Sequence, residues 1–262
     1  MKIIKTATIE INYAQDGPAD APALIFSNSL GSDLSMWQAQ ADHFKNDYRI
    51  VRYDHRGHGG SAVPEGPYSF EDLSMDVVAL MDALGIERAH FAGLSMGGMT
   101  ALGLALDHAD RLLSCTSCNC VAGYSPEGIK VWDERIAAIS ANGLEPVLET
   151  TISRWFTQPT IDSRPDEMDA IRKMIMATTV EGYLACCGAL KKLNYLERLS
   201  TIATPTLFIS GTHDMGAPAA AMRDMHERVD GSGYVELDAA HVSNVERPAE
   251  FNRALGDFLQ SV

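Results

Sequence analysis

The segment Phe91–Met99 constrains this chain more than any other. It carries Gly93-x-Ser95-x-Gly97 between a short apolar run, Ala89–Ala92, and a helix-like run, Met99–Leu106. Strand, sharp turn and helix in that order lift a serine out of a strained turn and expose its hydroxyl. The glycines have steric reasons: a tight turn leaves no room for side chains beside Ser95, while Gly98 and Gly103 should let the helix approach the sheet closely. A bare G-x-S-x-G arises by chance in many sequences. Here the context and the partners further along the chain single it out.

The organisation around that turn is an alternation. Strand-like runs are expected at Ile3–Thr8, Ile9–Ala14, Ala23–Ser27, Tyr48–Tyr53, Ala89–Gly93 and Leu112–Cys118. A helical stretch is expected at Leu34–Phe44. Another is expected at Phe70–Leu84, where Leu73, Val77, Leu80, Met81 and Leu84 repeat at helical period. Ser69 with Asp72 resembles a capping box, and Gly85 is a stop signal. The alternation breaks between about 122 and 195, where Val131–Ala141, Leu144–Arg154, Asp166–Ala177 and Val180–Lys191 all read as helix. It resumes with a strand at Thr206–Ser210, a helix near Pro218–Val229, a strand at Tyr234–Leu237 and a last helix at Pro248–Leu259. The expectation is an α/β fold: a mostly parallel eight-stranded sheet with helices on both faces. Its core domain should comprise 1–121 and 196–262, with 122–195 an inserted four-helix cap. An insertion placed there should cover the carboxyl edge of the sheet, where open α/β sheets bind ligands.

Bulk properties narrow the partners. The 262 residues are 46% hydrophobic and 21% charged, the profile of a globular chain with a sizeable core. A formal charge of −14 disfavours nucleic acid and anionic membrane, which it would repel. No apolar run approaches the roughly 20 residues of a membrane span, and Met1-Lys2-Ile3-Ile4-Lys5 lacks the features of a signal peptide, so a cytoplasmic location is expected. Cys115-x-x-Cys118-x-Cys120 invites a zinc reading, but no second ligand cluster of matching spacing accompanies it. With Cys186 and Cys187, these cysteines read as small buried apolar residues, and no metal is expected.

A serine hydroxyl attacks only when a base takes its proton, and a histidine base needs an orienting carboxylate. On a sheet of this kind the chain order is serine, acid, histidine. Two motifs after the insertion supply that order. Gly211-Thr212-His213-Asp214 puts Asp214 just past one strand, and Ala239-Ala240-His241-Val242-Ser243-Asn244 puts His241 just past the last. The catalytic candidates are therefore Ser95, Asp214 and His241. Turn serine and helix N-cap are the bland alternatives for Ser95 and Asp214, and His213 stands in the wrong order to be the base. His55 and His58, in a Gly-rich turn, are candidates for the mouth of the site or for surface and structural roles. An oxyanion hole needs two backbone N–H groups. One should be that of Met96, at a helix start; the other should be that of Leu30 in Asn28-Ser29-Leu30-Gly31-Ser32, where Gly31 frees the backbone to turn.

Together these residues resemble the α/β-hydrolase family and, within it, the 3-oxoadipate enol-lactonases of aromatic catabolism (the β-ketoadipate pathway). The resemblance runs over nearly the whole chain. It rests on Ser27-Asn28-Ser29-Leu30-Gly31, Arg52-Tyr53-Asp54-x-Arg56-Gly57-His58-Gly59, Gly93-Leu94-Ser95-Met96-Gly97-Gly98, Arg154-Trp155-Phe156-Thr157, Glu181-Gly182-Tyr183 and the two motifs around Asp214 and His241. It implies hydrolysis of a small anionic lactone through an acyl-enzyme, with no cofactor. The substrate carboxylate then needs a local cation; Arg135 and Arg154 are the candidates, with Trp132 and Trp155 as apolar walls. A general carboxylesterase or perhydrolase of the same fold, or a non-catalytic ligand-binding member, are the alternatives. The oligomeric state is not legible.

Overall fold

The computed structural model describes residues 2–262; Met1, at the head of the expected 1–121 segment, lies outside the described residues. Eight strands form one sheet: β1 (Lys2–Lys5), β2 (Glu10–Asp16), β3 (Ala23–Ser27), β4 (Arg49–Tyr53), β5 (Ala89–Leu94), β6 (Leu112–Cys118), β7 (Thr206–Gly211) and β8 (Gly233–Leu237). Their order is β1-β2-β4-β3-β5-β6-β7-β8. The β1–β2 and β2–β4 pairs are antiparallel, and from β4 through β8 every pair is parallel. The expected strands Ile3–Thr8 and Ile9–Ala14 are shorter on their facing sides. The Thr6 hydroxyl accepts the Ile9 N–H at 3.1 Å and closes a turn that ends the ladder.

Side-chain alternation splits the interior into two cores. Ala23 and Ile25 of β3, Ala89 and Phe91 of β5 and Phe208 of β7 face one side. Leu24 and Phe26, Ala92 and Leu94, and Leu207 and Ile209 face the other. The helices α1 (Gln38–Phe44), α2 (Phe70–Ala83) and α3 (Met96–Asp107) follow the early strands. The insertion holds α4 (Pro126–Asn142), α5 (Glu145–Trp155), α6 (Gln158–Ser163), α7 (Pro165–Met176) and α8 (Val180–Lys192); after it come α9 (Ala219–Arg228), α10 (Ser243–Glu246) and α11 (Pro248–Leu259). Residues of α2, α3 and α9 fill the first core, and residues of α1 and α11 the second. The capping box expected at α2 is present: Asp72 N–H donates to Ser69 Oγ at 3.1 Å, and Ser69 N–H to Asp72 Oδ2 at 2.8 Å. Among the described residues no helix is long and apolar enough to cross a membrane.

The insertion over 122–195 contains five α-helices, not four. The additional α6 is only six residues long, too short to show a period in sequence, and it starts with Pro159 in its first turn. Helix α4 also begins earlier than its apolar pattern. Ser125 caps it by accepting the Gly128 N–H at 3.2 Å, with Pro126 at the first helical position.

Candidate active site

Five neighbouring parallel strands, β3, β5, β6, β7 and β8, release their loops at one sheet edge. Ser95 sits directly after β5 with φ 58° and ψ −115°, a left-handed conformation that is costly for a non-glycine residue. Its surroundings enforce it. Ser95 N–H donates to Cys118 O at 2.8 Å, and Gly97 N–H to Asn28 O at 2.9 Å. A Cβ at Gly93 would lie 2.0 Å from Gly97 O, and one at Gly97 would lie 2.2 Å from Ser27 O. The two motif glycines are therefore steric necessities of the turn. Gly98 also lets α3 close on the sheet, its Cβ position lying 2.9 Å from Cys118 O. Gly103 does not serve that purpose: its missing side chain makes room for the Tyr195 hydroxyl and Ser74 of α2.

Asp214, past β7, and His241, past β8, meet: His241 Nδ1 donates to Asp214 Oδ2 at 2.8 Å. With Nδ1 committed to the carboxylate, Nε2 is the nitrogen left to move a proton. The Asp214 side chain is fully buried and that of His241 is 13% exposed. Burial alone would raise the Asp214 carboxyl. His241 and the donors around it outweigh burial and hold it below the usual carboxylate value. Its Oδ1 accepts N–H groups of Gly216 at 2.7 Å and Ala217 at 2.9 Å. His213 faces away, in an exposed pair with Asp238 at 2.8 Å.

Two further residues belong to this arrangement and carry no motif of their own. Asn119, past β6, donates from Nδ2 to Asp214 Oδ2 at 3.0 Å. The Ser243 hydroxyl donates to Asn119 Oδ1 at 2.6 Å. Since Ser243 lies two residues after His241, the bonds close a ring through imidazole, carboxylate, amide and hydroxyl. Asn119 is fully buried at φ 48°. Glu246 ties the same loop to the insertion. Its Oε2 accepts Ala240 N–H at 2.6 Å, while Oε1 accepts Thr157 N–H at 3.0 Å and the Thr160 hydroxyl at 2.6 Å.

Ser95 and His241 line one cavity of about 270 Å³, together with Leu30 from the loop after β3. Met96 has a fully buried side chain, and its N–H begins α3. Among the described residues the N–H groups of Leu30 and Met96 meet no acceptor. The neighbouring Gly31 N–H is taken by His58 Nε2 at 2.9 Å. His58 and His55 do not reach the mouth of the cavity; each is 1% exposed, beneath the Asn28–Gly31 loop. His55 Nε2 lies 3.1 Å from Asn28 O. Burial pushes His58 down to about 4 and His55 to about 3, so both are neutral props. They go under because the Gly-rich turn folds inward. Gly57 packs on Gly182 of α8 so closely that a Cβ would sit 2.6 Å from Gly182 Cα.

The insertion supplies the other wall: Trp132 and Arg135 from α4, Arg154 and Trp155 from α5, and Tyr183 from α8. Arg135 donates to the Tyr183 hydroxyl at 2.9 Å and the Thr151 hydroxyl at 2.7 Å. Among the described residues neither Arg135 nor Arg154 forms an ion pair, and no Asp or Glu lines the cavity. Two uncompensated cations thus face a small chamber in an acidic protein. The five cysteines are free buried thiols. Cys120 lines the cavity, but burial raises its thiol to about 12, which keeps it protonated and a poor nucleophile.

Comparison with known proteins agrees with the architecture. The model of the alpha/beta hydrolase fold family matches residues 22–248. 3-Oxoadipate enol-lactonase 2 of Acinetobacter baylyi is 39% identical, over 94% of this chain and 92% of its own. 3-Oxoadipate enol-lactonase 1 of the same organism is also 39% identical, over 98% and 94%. The crystal structure of the enol-lactonase from Burkholderia xenovorans LB400 matches with a TM-score of 0.95 at 40% identity, covering 99% of this chain and 100% of that one.

Proposed function

The chain belongs to the α/β-hydrolase family as a hydrolase of ester bonds, and from that premise we propose that it opens 3-oxoadipate enol-lactone to 3-oxoadipate through an acyl-enzyme on Ser95. One observation carries the reading: Ser95 and the Asp214-paired His241 share a chamber with two arginines that have no carboxylate partner among the described residues.

His241 Nε2 takes the hydroxyl proton as Ser95 Oγ attacks the lactone carbonyl. Asp214 steadies the imidazolium that forms. The N–H groups of Leu30 and Met96, free of other acceptors, hold the oxyanion; such a donor is worth about 2.7–4 kcal/mol of barrier. Collapse breaks the ring C–O bond. The imidazolium returns its proton to the departing enol oxygen, which stays tethered to the acyl group. Tautomerisation to the ketone removes that oxygen as a nucleophile and prevents reclosure. Water, deprotonated by His241, then releases the carboxylate and restores Ser95. None of these steps calls for a cofactor.

The substrate carries a free carboxylate, which a protein of net charge −14 repels at long range. Arg135 and Arg154 bind it locally, with Trp132 and Trp155 against its apolar parts. Residues 122–195 act as a cap over a core of 1–121 and 196–262, in a cytoplasmic setting. A general esterase would need the same attack but would leave both cations without a purpose. The test is the loss of enol-lactone absorbance with wild type against Ser95→Ala, run beside neutral short-chain esters. Equal preference for both substrates would favour the esterase reading. A wild-type protein that a fluorophosphonate does not label at Ser95 would favour a binding protein.

A further inference from the structure

Trp155 lines two cavities. One is the chamber holding Ser95 and His241; the other, of about 440 Å³, lies between α1, α7 and the segment after His241. The indole is only 6% exposed. The Trp155 main chain is tied to the segment after His241, because Val242 N–H donates to Trp155 O at 3.0 Å. That bond sets Trp155 beside the loop carrying the base. In acyl transfer the base delivers its proton to the leaving oxygen, so the leaving-group arm of an ester lies on the Trp155 side of the carbonyl. In the second cavity Met36, Ile171, Met174 and Val245 form an apolar stretch suited to hydrocarbon, beside the charged Asp42, Arg164 and Glu167.

From this we infer that Trp155 is the specificity-determining residue for the leaving group: its ring closes the reactive chamber against an adjoining apolar cavity and so limits the site to esters and lactones with a short alkoxy arm. The inference rests on the proposed attack by Ser95. Removing the ring joins the two spaces and admits an alkyl chain on the alcohol side. The acyl side is unaffected, because it points away from the His241 loop.

The test uses the full chain and three neutral esters followed by acid release: methyl and hexyl butanoate vary the alcohol, and methyl butanoate and methyl hexanoate vary the acyl group. Trp155→Ala should raise the hexyl-to-methyl ratio of kcat/KM at least tenfold, and Trp155→Leu by a smaller factor. Both should leave the acyl ratio as in wild type. If Trp155→Ala does not fold, Trp155→Leu decides alone. An unchanged alcohol ratio in an active variant overturns the inference, and so does an acyl ratio that rises equally. Ser95→Ala on methyl butanoate separates the two levels: retained turnover there sinks the attack by Ser95, whatever the ratios at Trp155.

Discussion

Asn119 Nδ2 reaches the same Asp214 oxygen that holds His241, at 3.0 Å against 2.8 Å for the histidine. The carboxylate is therefore held from two sides, by an imidazole that can carry a proton and by an amide that cannot. The Ser243 hydroxyl holds the Asn119 amide in turn.

Asn119→Ala should therefore lower kcat while leaving KM near the wild-type value. A hydrogen bond to a charged group is worth about 1.5–3 kcal/mol, and about 1.4 kcal/mol is tenfold in rate, so the drop should be roughly tenfold to a hundredfold. Ser243→Ala, which only frees the amide to rotate, should cost less. Asn119→Asp keeps the shape but places a second carboxylate beside Asp214, and should do worse than Asn119→Ala. Steady-state kinetics on the three variants decides; a change confined to KM would remove Asn119 from the positioning of the acid.

Ser95→Ala should abolish enol-lactone turnover, by roughly a millionfold as in other serine hydrolases with this dependence. The same variant should bind a non-hydrolysed product-like dianion with wild-type affinity, read by calorimetry. Loss of both would point to a collapsed turn at φ 58° rather than a missing nucleophile.

What the sequence made legible follows from how unusual each local pattern is. Ser95 stands out because three glycines, each with no room for a side chain, surround it between a strand and a helix. Asp214 and His241 stand out by chain order. Asn119, Ser243 and Glu246 do not. An asparagine after a strand, a serine two residues beyond a histidine and a glutamate before a helix occur everywhere, and their roles arise only when β6, β7 and β8 lie side by side. The one retrospective signal is at Asn119, since asparagine is the non-glycine residue that best tolerates a left-handed backbone. Of the two readings open for His55 and His58, the structural one holds: a Gly-rich turn leaves exposure undecided in sequence, and Gly57 against Gly182 draws this one inward. Helix α6 was invisible because six residues give no period.

Arg135→Ala and Arg154→Ala test recognition of the substrate anion. If either side chain pairs with the free carboxylate, its loss should raise KM for the anionic lactone about tenfold or more, with neutral esters nearly unaffected. Arg135 is already held by Tyr183 and Thr151, a preorganised donor, so its effect should exceed that of Arg154. Added salt should weaken lactone binding in wild type and less in the variants. Equal losses on charged and neutral substrates would make both residues structural.

Acid should destabilise the fold in a window set by the two buried histidines. Unfolded, each imidazole binds a proton near its ordinary value of 6.5; folded, burial delays that to about 3 for His55 and about 4 for His58. Between these values the unfolded state holds the extra protons, so stability is complete above pH 6.5 and falls as pH falls. From pH 6.5 to pH 5 the loss is about 2 kcal/mol for each, at about 1.4 kcal/mol per pH unit, a large share of a total of about 5–15 kcal/mol. Asp214 and Glu246, whose carboxyls are held low, lose stability only at more acidic pH; His90, lowered by burial, adds to the histidine loss, while Asp54, raised by burial, opposes it, so the share of one histidine is read as the difference between wild type and a variant. His58→Gln removes one proton site while its side-chain carbonyl can still accept the Gly31 N–H. Urea unfolding at pH 6.5 and pH 5 should show a difference about 2 kcal/mol smaller than in wild type, with activity at pH 7 largely kept. An unchanged difference would mean that His58 is not held neutral beneath the Asn28–Gly31 loop.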